Sequence, residues 1–418
     1  MTLENGDTSV TIGIVVQDNY PLDRDVRTRK MAKALDDSGW KVQIFARNSL
    51  EDPDLGKIED DYSLLEEELG YATVKRFSWL LSTPLFSLVT AKIPINPFWL
   101  VWLVLQLRES DVDAVVACDV RAGLPSIFAA KLCRLPVILD LRENFAELAK
   151  IKQPEGYLDY LTLNVTLIST IEQVTVRLAD HVWVVTEERK QALVADTVSP
   201  ANVSVVGNTP YLDEVSEFAV DEEAERESFK WSGFTLVYVG SINRFRGIDL
   251  ILEAISCVNQ DNSNPVSFAV AGDGPDRDRL EQKAKSLGID DAVHFTGWID
   301  PETVPAFLRS GDVGVIPHTV NTYTNQTIPN KLFDYMLAEL PVLATAADPI
   351  SRVIRETECG RVVPDGADGR EVGKIIKQMR DCSELTELGQ HGLQAVQQTY
   401  NWNTEMEQIR ATLRAEIG

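Results

Sequence analysis

Several groups of polar residues in this chain could do chemistry. The first surrounds Lys331 and Asp334, which fall with Tyr335 on one face of an expected short helix. Leu332, Phe333, Met336 and Leu337 make its apolar face. Thr327 is placed to cap that helix, and Pro329, with no N–H to lose, suits its first turn. The loop Thr327-Ile328-Pro329-Asn330 would then present free N–H groups beside the Lys331 cation, a setting that suits a phosphate-bearing ligand. The Asp334 carboxylate, one turn further in, could accept hydrogen bonds from a ribose diol. A surface Lys331–Asp334 pair over a core helix would use the same residues. A second group is the loop Gly240-Ser241-Ile242-Asn243-Arg244-Phe245-Arg246-Gly247, bounded by glycines and carrying two arginines. Arginine binds phosphate oxygens in pairs, so the loop fits a diphosphate clamp, although many strand–helix loops carry arginine by chance. A third is the charged run Asp140-Leu141-Arg142-Glu143-Asn144-Phe145, just past an expected strand at 135–139. Parallel folds place ligands at such strand ends. An exposed loop holding an Asp140–Arg142 or Arg142–Glu143 pair reads equally well. The last is the turn holding Asp23, Arg24, Arg27 and Arg29, which also fits a solvated helix start.

The elements that must position these groups follow one grammar, repeated twice. Val10 to Gln17 reads as a strand, Arg24 to Ser38 as a helix closed by Gly39, and Lys41 to Arg47 as a strand. Such β-α-β order argues for a parallel, doubly wound sheet. The first turn has no G-x-G-x-x-G, so a dinucleotide fold, and with it a dehydrogenase, is unsupported. Residues 51–68 read as an acidic, irregular connection. Asp119 opens a helix after a strand at 113–117. A strand at 203–206 ends in Gly207-Asn208-Thr209-Pro210, and the polar stretch from Asp213 to Lys230 marks a boundary. The second half restarts with a strand at 234–239 and a helix at 250–258. It continues through Gly272-Asp273-Gly274-Pro275, a strand running into Trp298, and a strand at 313–316.

The chain has 418 residues, enough for two or three domains with cores of their own. Its 64 acidic residues outnumber 40 basic ones, for a net charge of −24. That excess argues against a nucleic-acid partner, and a salt-loving source is one hypothesis for it. Five scattered cysteines without a CxxC suggest neither a disulfide framework nor a zinc site, and point to a reducing compartment. No signal peptide is read before Val10. From Trp79 to Leu107 the chain carries one charge, Lys92, with three tryptophans and prolines at 84, 94 and 97. The segment is too broken to span a bilayer, but fits an interfacial membrane contact or a core helix with an apolar flank.

The stretch PNKLFDYMLAELPVLAT, from Pro329 to Thr345, is similar to the donor-site segment of the retaining family 4 glycosyltransferases, which have the GT-B fold. Further matches in order are A-G-D-G-P at Gly272 and Gly274, F-x-G-W ending at Trp298, and D-V-G-V-x-P before His318. The loop from Gly240 resembles the family's V-G-x(n)-[KR]-G, with Arg246 as its basic residue. Ser241 stands where an arginine is frequent, and Arg244 is a substitute for it. The resemblance runs from about Val10 to the end and is stronger in the C-terminal half.

The resemblance implies an α/β GT-B architecture of two doubly wound, Rossmann-like domains facing a central cleft. The implied acceptor side is 1–208, the nucleotide-sugar domain 209–395, and a helix at 396–418 crosses back. Arg246 and Lys331 would neutralise the diphosphate, Asp334 would hold the ribose, and the backbone at Trp298 and Ile299 would meet the base. The family's Glu-x7-Glu maps onto Gln326 and Asp334, and its usual Gly onto Glu339. Gln326 would lie near the donor sugar. Arg142 takes the His position of a D-x-H-E motif, beside Glu143. Asp23, Arg24, Arg27, Asp119 and Asp140 fall on the acceptor side, where Arg24 or Arg27 could meet a diphosphate. A retaining reaction would need no dedicated base, no metal and no cofactor, the nucleotide-sugar being a substrate. His318 and His294 read as structural. The partners implied are that donor and a glycan or lipid-linked acceptor, in the cytoplasm or on its membrane face. A silent GT-B protein supporting an active partner is the alternative, motivated by Gln326 and Glu339.

Overall fold

The structure is a computed structural model, and it describes residues 10–17, 20, 25–47, 65–77, 96–151, 164–212, 229, 231–261 and 264–418. Asp23 and Arg24, and the expected membrane segment up to residue 95, lie outside them. The chain divides into two compact units, one of Met1–Val206 with Glu405–Gly418, the other of Gly207–Thr404.

The first unit is built on β1 (Thr11–Val16), α1 (Val26–Asp36), β2 (Lys41–Ala46), β3 (Glu66–Glu68) and β4 (Thr73–Arg76). It continues with α2 (Pro97–Glu109), β5 (Ala114–Cys118), α3 (Asp119–Cys133), β6 (Val137–Leu141), α4 (Phe145–Ile151) and α5 (Val165–Leu178). β7 (His181–Val184), α6 (Glu187–Asp196) and β8 (Val203–Val205) complete the sheet, whose order is β3-β4-β2-β1-β5-β6-β7-β8. All its pairings are parallel except β3 with β4. The stretch read as irregular at 51–68 thus contributes an edge strand of three glutamates, held by pairing rather than by any apolar pattern.

The described part of the apolar segment is a core helix. Asn96 caps α2 by accepting from Phe98 N and Trp99 N, and Pro97 occupies its first position. Trp99 and Trp102 stack at 5.0 Å, and Phe77 meets both edge-on. These rings and Leu103 are buried in the core. Among the described residues no helix is long and apolar enough to cross a membrane.

The second unit follows with β9 (Phe234–Val239), α7 (Ile248–Val258), β10 (Val266–Ala271), α8 (Arg277–Ser286), β11 (Val293–Gly297) and α9 (Val304–Arg309). Next come β12 (Val313–Ile316), α10 (Lys331–Leu337), β13 (Val342–Thr345), α11 (Asp348–Thr357), β14 (Gly360–Val363), α12 (Gly369–Arg380) and α13 (Leu385–Gln398). Its six strands run in the order β11-β10-β9-β12-β13-β14, every pair parallel. The order reverses direction between β9 and β12, and a parallel sheet offers its ligand crevice beyond the strand ends at such a switch. Apolar side chains fill both faces. The last helix, α14 (Trp402–Ile417), begins in this unit, where Trp402 N donates to Pro210 O, and its later turns belong to the first.

Candidate functional site

Two clusters of charged side chains sit at strand ends, one in each unit. In the second unit, Gly240 follows β9 directly, with φ +123, a value that favours glycine. A Cβ there would stand 3.2 Å from Lys331 Nζ. Backbone bonds lace the neighbouring loops together: Gly240 N to Ala271 O, Ile242 N to Asp273 O, and Gly272 N to Gly297 O. Gly272 and Gly274 lie flat on the carbonyls of Gly240 and Ile242, where a Cβ would come within 2.0 and 2.1 Å. The floor of this site is therefore main chain.

Lys331, the first residue of α10, is buried, and its Nζ lies 3.6 Å above the centre of the Tyr238 ring. It has no hydrogen-bond partner among the described residues. Burial, and then the charge of Arg246, hold its pKa well below the ordinary value, with Asp334 acting the other way. Tyr238 in turn donates from its hydroxyl to Ser241 O, and burial raises its pKa to about 12. Arg246 lies across the Phe245 ring at 5.0 Å and places Nη1 3.1 Å from His318 Nε2. Its Nε, like Asn243 Oδ1, is buried without a partner. Two buried donor atoms, Lys331 Nζ and Arg246 Nε, are thus unmet among the described residues, which is costly unless an acceptor enters.

The other residues singled out in this unit are dispersed. Arg244 is 84% exposed and only 3.7 Å from Asp276, so it does not join Arg246. Ser241 Oγ accepts a long bond of 3.4 Å from Asn243. Trp298 is exposed, whereas Ile299 packs on the core. Gln326 closes a short 3-10 turn (Thr324–Gln326), its N–H donating to Tyr323 O. Thr327 does not cap α10: its hydroxyl donates to Tyr323 O, and Asn330 holds the cap position without a side-chain bond to the helix backbone. Pro329 precedes the helix, Ile328 packs on the core, and Asn330 Oδ1 accepts from Asn208. The helix starts later than its apolar spacing suggests because the preceding turn engages Thr327. Lys331 and Tyr335 do not form an exposed face either, both being buried, while Asp334 is half-buried. Glu339, at the family's glycine position, has φ +54, which explains the usual residue there.

In the first unit, Asp140 is wholly buried inside β6 rather than exposed beyond it. Arg27 grips it in a pair of bonds, Nε to Oδ2 at 3.0 Å and Nη2 to Oδ1 at 2.7 Å. Arg142 adds Nε to Oδ2 at 3.0 Å. Burial works against the charge on Asp140, but Arg27 and Arg142 together lower its pKa. Arg142 also donates to Asp25 Oδ1, Thr28 Oγ1 and Cys118 Sγ. Arg27 and Arg142, expected to meet ligands, are spent on this internal network, because a buried carboxylate needs paired donors. Asp119, with φ +65, opens α3 and accepts from Arg142 N at 3.1 Å. Burial raises its pKa to about 6, Arg142 acting the other way. Glu143 is half-buried in the following loop.

His318 and Tyr238 are the residues that sequence reasoning undervalued. The one available signal was position: Tyr238 is in β9, one residue from its end, and His318 is two residues beyond β12. His294, by contrast, stacks on Trp231 at 5.1 Å, away from this cluster.

Among known proteins, the family model described as Glycosyl transferases group 1 matches residues 233–381. The Glycosyl transferase 4-like domain model matches residues 25–209. The chain is 23% identical to the 2-deoxystreptamine glucosyltransferase of Streptomyces kanamyceticus over 371 residues, 85% of this chain and 89% of the relative. It is 19% identical to an uncharacterised glycosyltransferase of Methanocaldococcus jannaschii over 241 residues, 58% of this chain and 60% of that relative's length. Among solved structures, Anabaena HepE in complex with UDP superposes with a TM-score of 0.70 at 16% identity, covering 97% of this chain and 100% of that one. Two family models, one on each doubly wound unit, and the shared architecture place the chain: it belongs to the family 4 glycosyltransferases of GT-B fold.

Proposed function

We propose that the chain moves a sugar from a nucleoside-diphosphate donor to a glycan or lipid-linked acceptor, with retention at the sugar carbon. The observation that carries this is the pair Lys331, which is buried, and Arg246, which is half-buried, whose Nζ and Nε are buried donors without partners among the described residues at the switch point of the second sheet. A diphosphate supplies the anion they lack. As the bond to the sugar breaks, charge grows on the leaving phosphate, and fixed cations in a buried site stabilise that state more than the ground state. Asp334 takes the ribose, Gln326 lies toward the donor sugar, and the main chain at Trp298 and Ile299 meets the base. The unit of Gly207–Thr404 is then the donor domain, and the first unit receives the acceptor beside Asp119 and Glu143. The UDP bound to the Anabaena neighbour supports a uridine nucleotide as the first to try.

A thermal-shift panel of UDP-, GDP- and ADP-sugars tests the reading, with Arg246→Ala and Asp334→Ala alongside. A nucleotide-specific stabilisation lost in both variants supports it. Absence of any shift in folded protein refutes the donor site and favours a silent partner role.

A lipid-linked acceptor would bring the protein to a membrane, and one face of the first unit suits that contact. Phe98, Val101 and Leu105 of α2 and Phe128 and Leu132 of α3 are all exposed. The two helices touch through Cys133 Sγ and Val104 O, and Arg108, Lys131 and Arg134 stand at their C-terminal ends. An apolar stripe beside basic residues fits an anionic bilayer surface. Flotation with phosphatidylglycerol vesicles should carry the protein upward, and Val101→Glu with Leu105→Glu should keep it at the bottom. Wild-type protein that never floats would sink the idea.

A further inference from the structure

The loop after β12 and the loop after β9 are held together by main chain. Thr319 N donates to Phe245 O at 3.0 Å, and a Cβ on Gly247 would come within 1.8 Å of Pro317 O. His318 sits in the middle of this seam, 3% exposed, its own carbonyl accepting from Thr345 Oγ1 at 2.6 Å. The backbone is thus anchored from both β9 and β13 whatever side chain residue 318 carries. What the imidazole adds, among the described residues, is one hydrogen bond, Nε2 at 3.1 Å from Arg246 Nη1. A guanidinium can only donate, so Nε2 is the acceptor and the ring is neutral. We propose, resting on the donor-site reading above, that His318 is a positioning residue that holds the Arg246 guanidinium by its Nη1, leaving Nε for the diphosphate.

The surroundings keep that acceptor available. Burial, Lys331 from α10 and Arg246 from the β9 loop all press the ring toward its neutral form. Phe245 supports the guanidinium from its face, so the histidine edge contact sets its rotation in plane. Without it, a four-bond side chain over an aromatic ring is free to turn.

The test is calorimetric binding of inorganic pyrophosphate, which reads the phosphate clamp whatever the base or sugar. His318→Phe keeps a ring of similar shape without an acceptor, and His318→Gln brings an oxygen near the place of Nε2. The expected loss for His318→Phe is about 10-fold, the size of one weakened charge-assisted bond. His318→Gln should stay within about threefold of wild type. His318→Phe made in the Arg246→Ala background should cost nothing further, as a residue acting only through Arg246 must. Wild-type affinity in His318→Phe overturns the proposal, as does an equal loss in the Arg246→Ala background. If His318→Phe fails to fold, His318→Asn, whose oxygen falls short, takes its place against His318→Gln. Wild-type protein that binds no pyrophosphate overturns the donor-site reading itself, and this inference with it.

Discussion

Replacing Lys331 by Met separates a waiting cation from an ordinary structural lysine. Its Nζ is buried without a hydrogen-bond partner among the described residues. An unmet buried donor costs about 1–3 kcal/mol, and its contact with the Tyr238 ring returns about 0.5–2 kcal/mol. Met fills the stem's volume without the donor, so the empty protein should gain about 1 kcal/mol. For a unit of this size that is a rise of about 2–4 °C in the melting temperature. The same change removes a charge-assisted bond to the diphosphate, weakening binding about 10- to 100-fold. Thermal unfolding with and without UDP or pyrophosphate reads both effects. Protonation adds a third signature. The folded-state pKa of Lys331 lies below its unfolded value of 10.5, so folding releases a proton and this group's contribution grows as pH rises toward 10.5. A bound anion favours the protonated form, so wherever the empty protein's lysine has lost its proton, binding should take one up and weaken as pH rises. Calorimetry in two buffers of different ionisation enthalpy should show that uptake in wild type and not in Lys331→Met. A variant that melts lower and binds pyrophosphate as before would refute the reasoning.

Arg27→Met strands the buried Asp140 carboxylate with only Arg142, and should cost about 3–5 kcal/mol in urea unfolding; a loss under 1 kcal/mol would contradict the network described. Asp119 has a folded pKa of about 6 against 3.8, so its contribution is intact below about 3.8 and is lost as pH rises through 6. Asp119→Asn should therefore be more favourable relative to wild type at pH 7 than at pH 4, and the opposite order would overturn the assignment. Glu339→Gly relieves a left-handed backbone at an exposed side chain, and should be neutral to stabilising by about 1 kcal/mol, where most glycine substitutions destabilise.

Much of the fold was legible because buried parallel strands leave apolar runs, and those at 234–239 and 313–316 coincide with β9 and β12. The candidate site was readable where a residue's placement is a local matter, as with Arg246 in the loop after β9 and Lys331 at the start of α10. It was not where the chemistry depends on distant partners. Asp140 looked like the end of a strand because it is charged, and the Arg27 that lets it stay inside lies 113 positions away. His318 looked inert because its partner is 72 positions away. Thr327 looked like a cap because capping is a local rule, and a competing carbonyl at Tyr323 took the hydroxyl first. The glutamate strand β3 has no apolar signature at all, being fixed by pairing with β4.

A floor made of carbonyls and amides pressed together at Gly240, Gly272 and Gly274 has an evolutionary consequence. Side chains around it can drift without altering the floor's shape, since its contacts are main chain to main chain. A single added carbon, however, collides with main chain at Gly272 and Gly274, and at Gly240 it strains a backbone of φ +123. Variation in this region should accordingly be polarised, with near-complete intolerance at Gly272 and Gly274 and strain at Gly240, beside broad tolerance at their neighbours. On the donor-site reading, exchange of one sugar donor for another would proceed by changing the rim, with the floor left as it is.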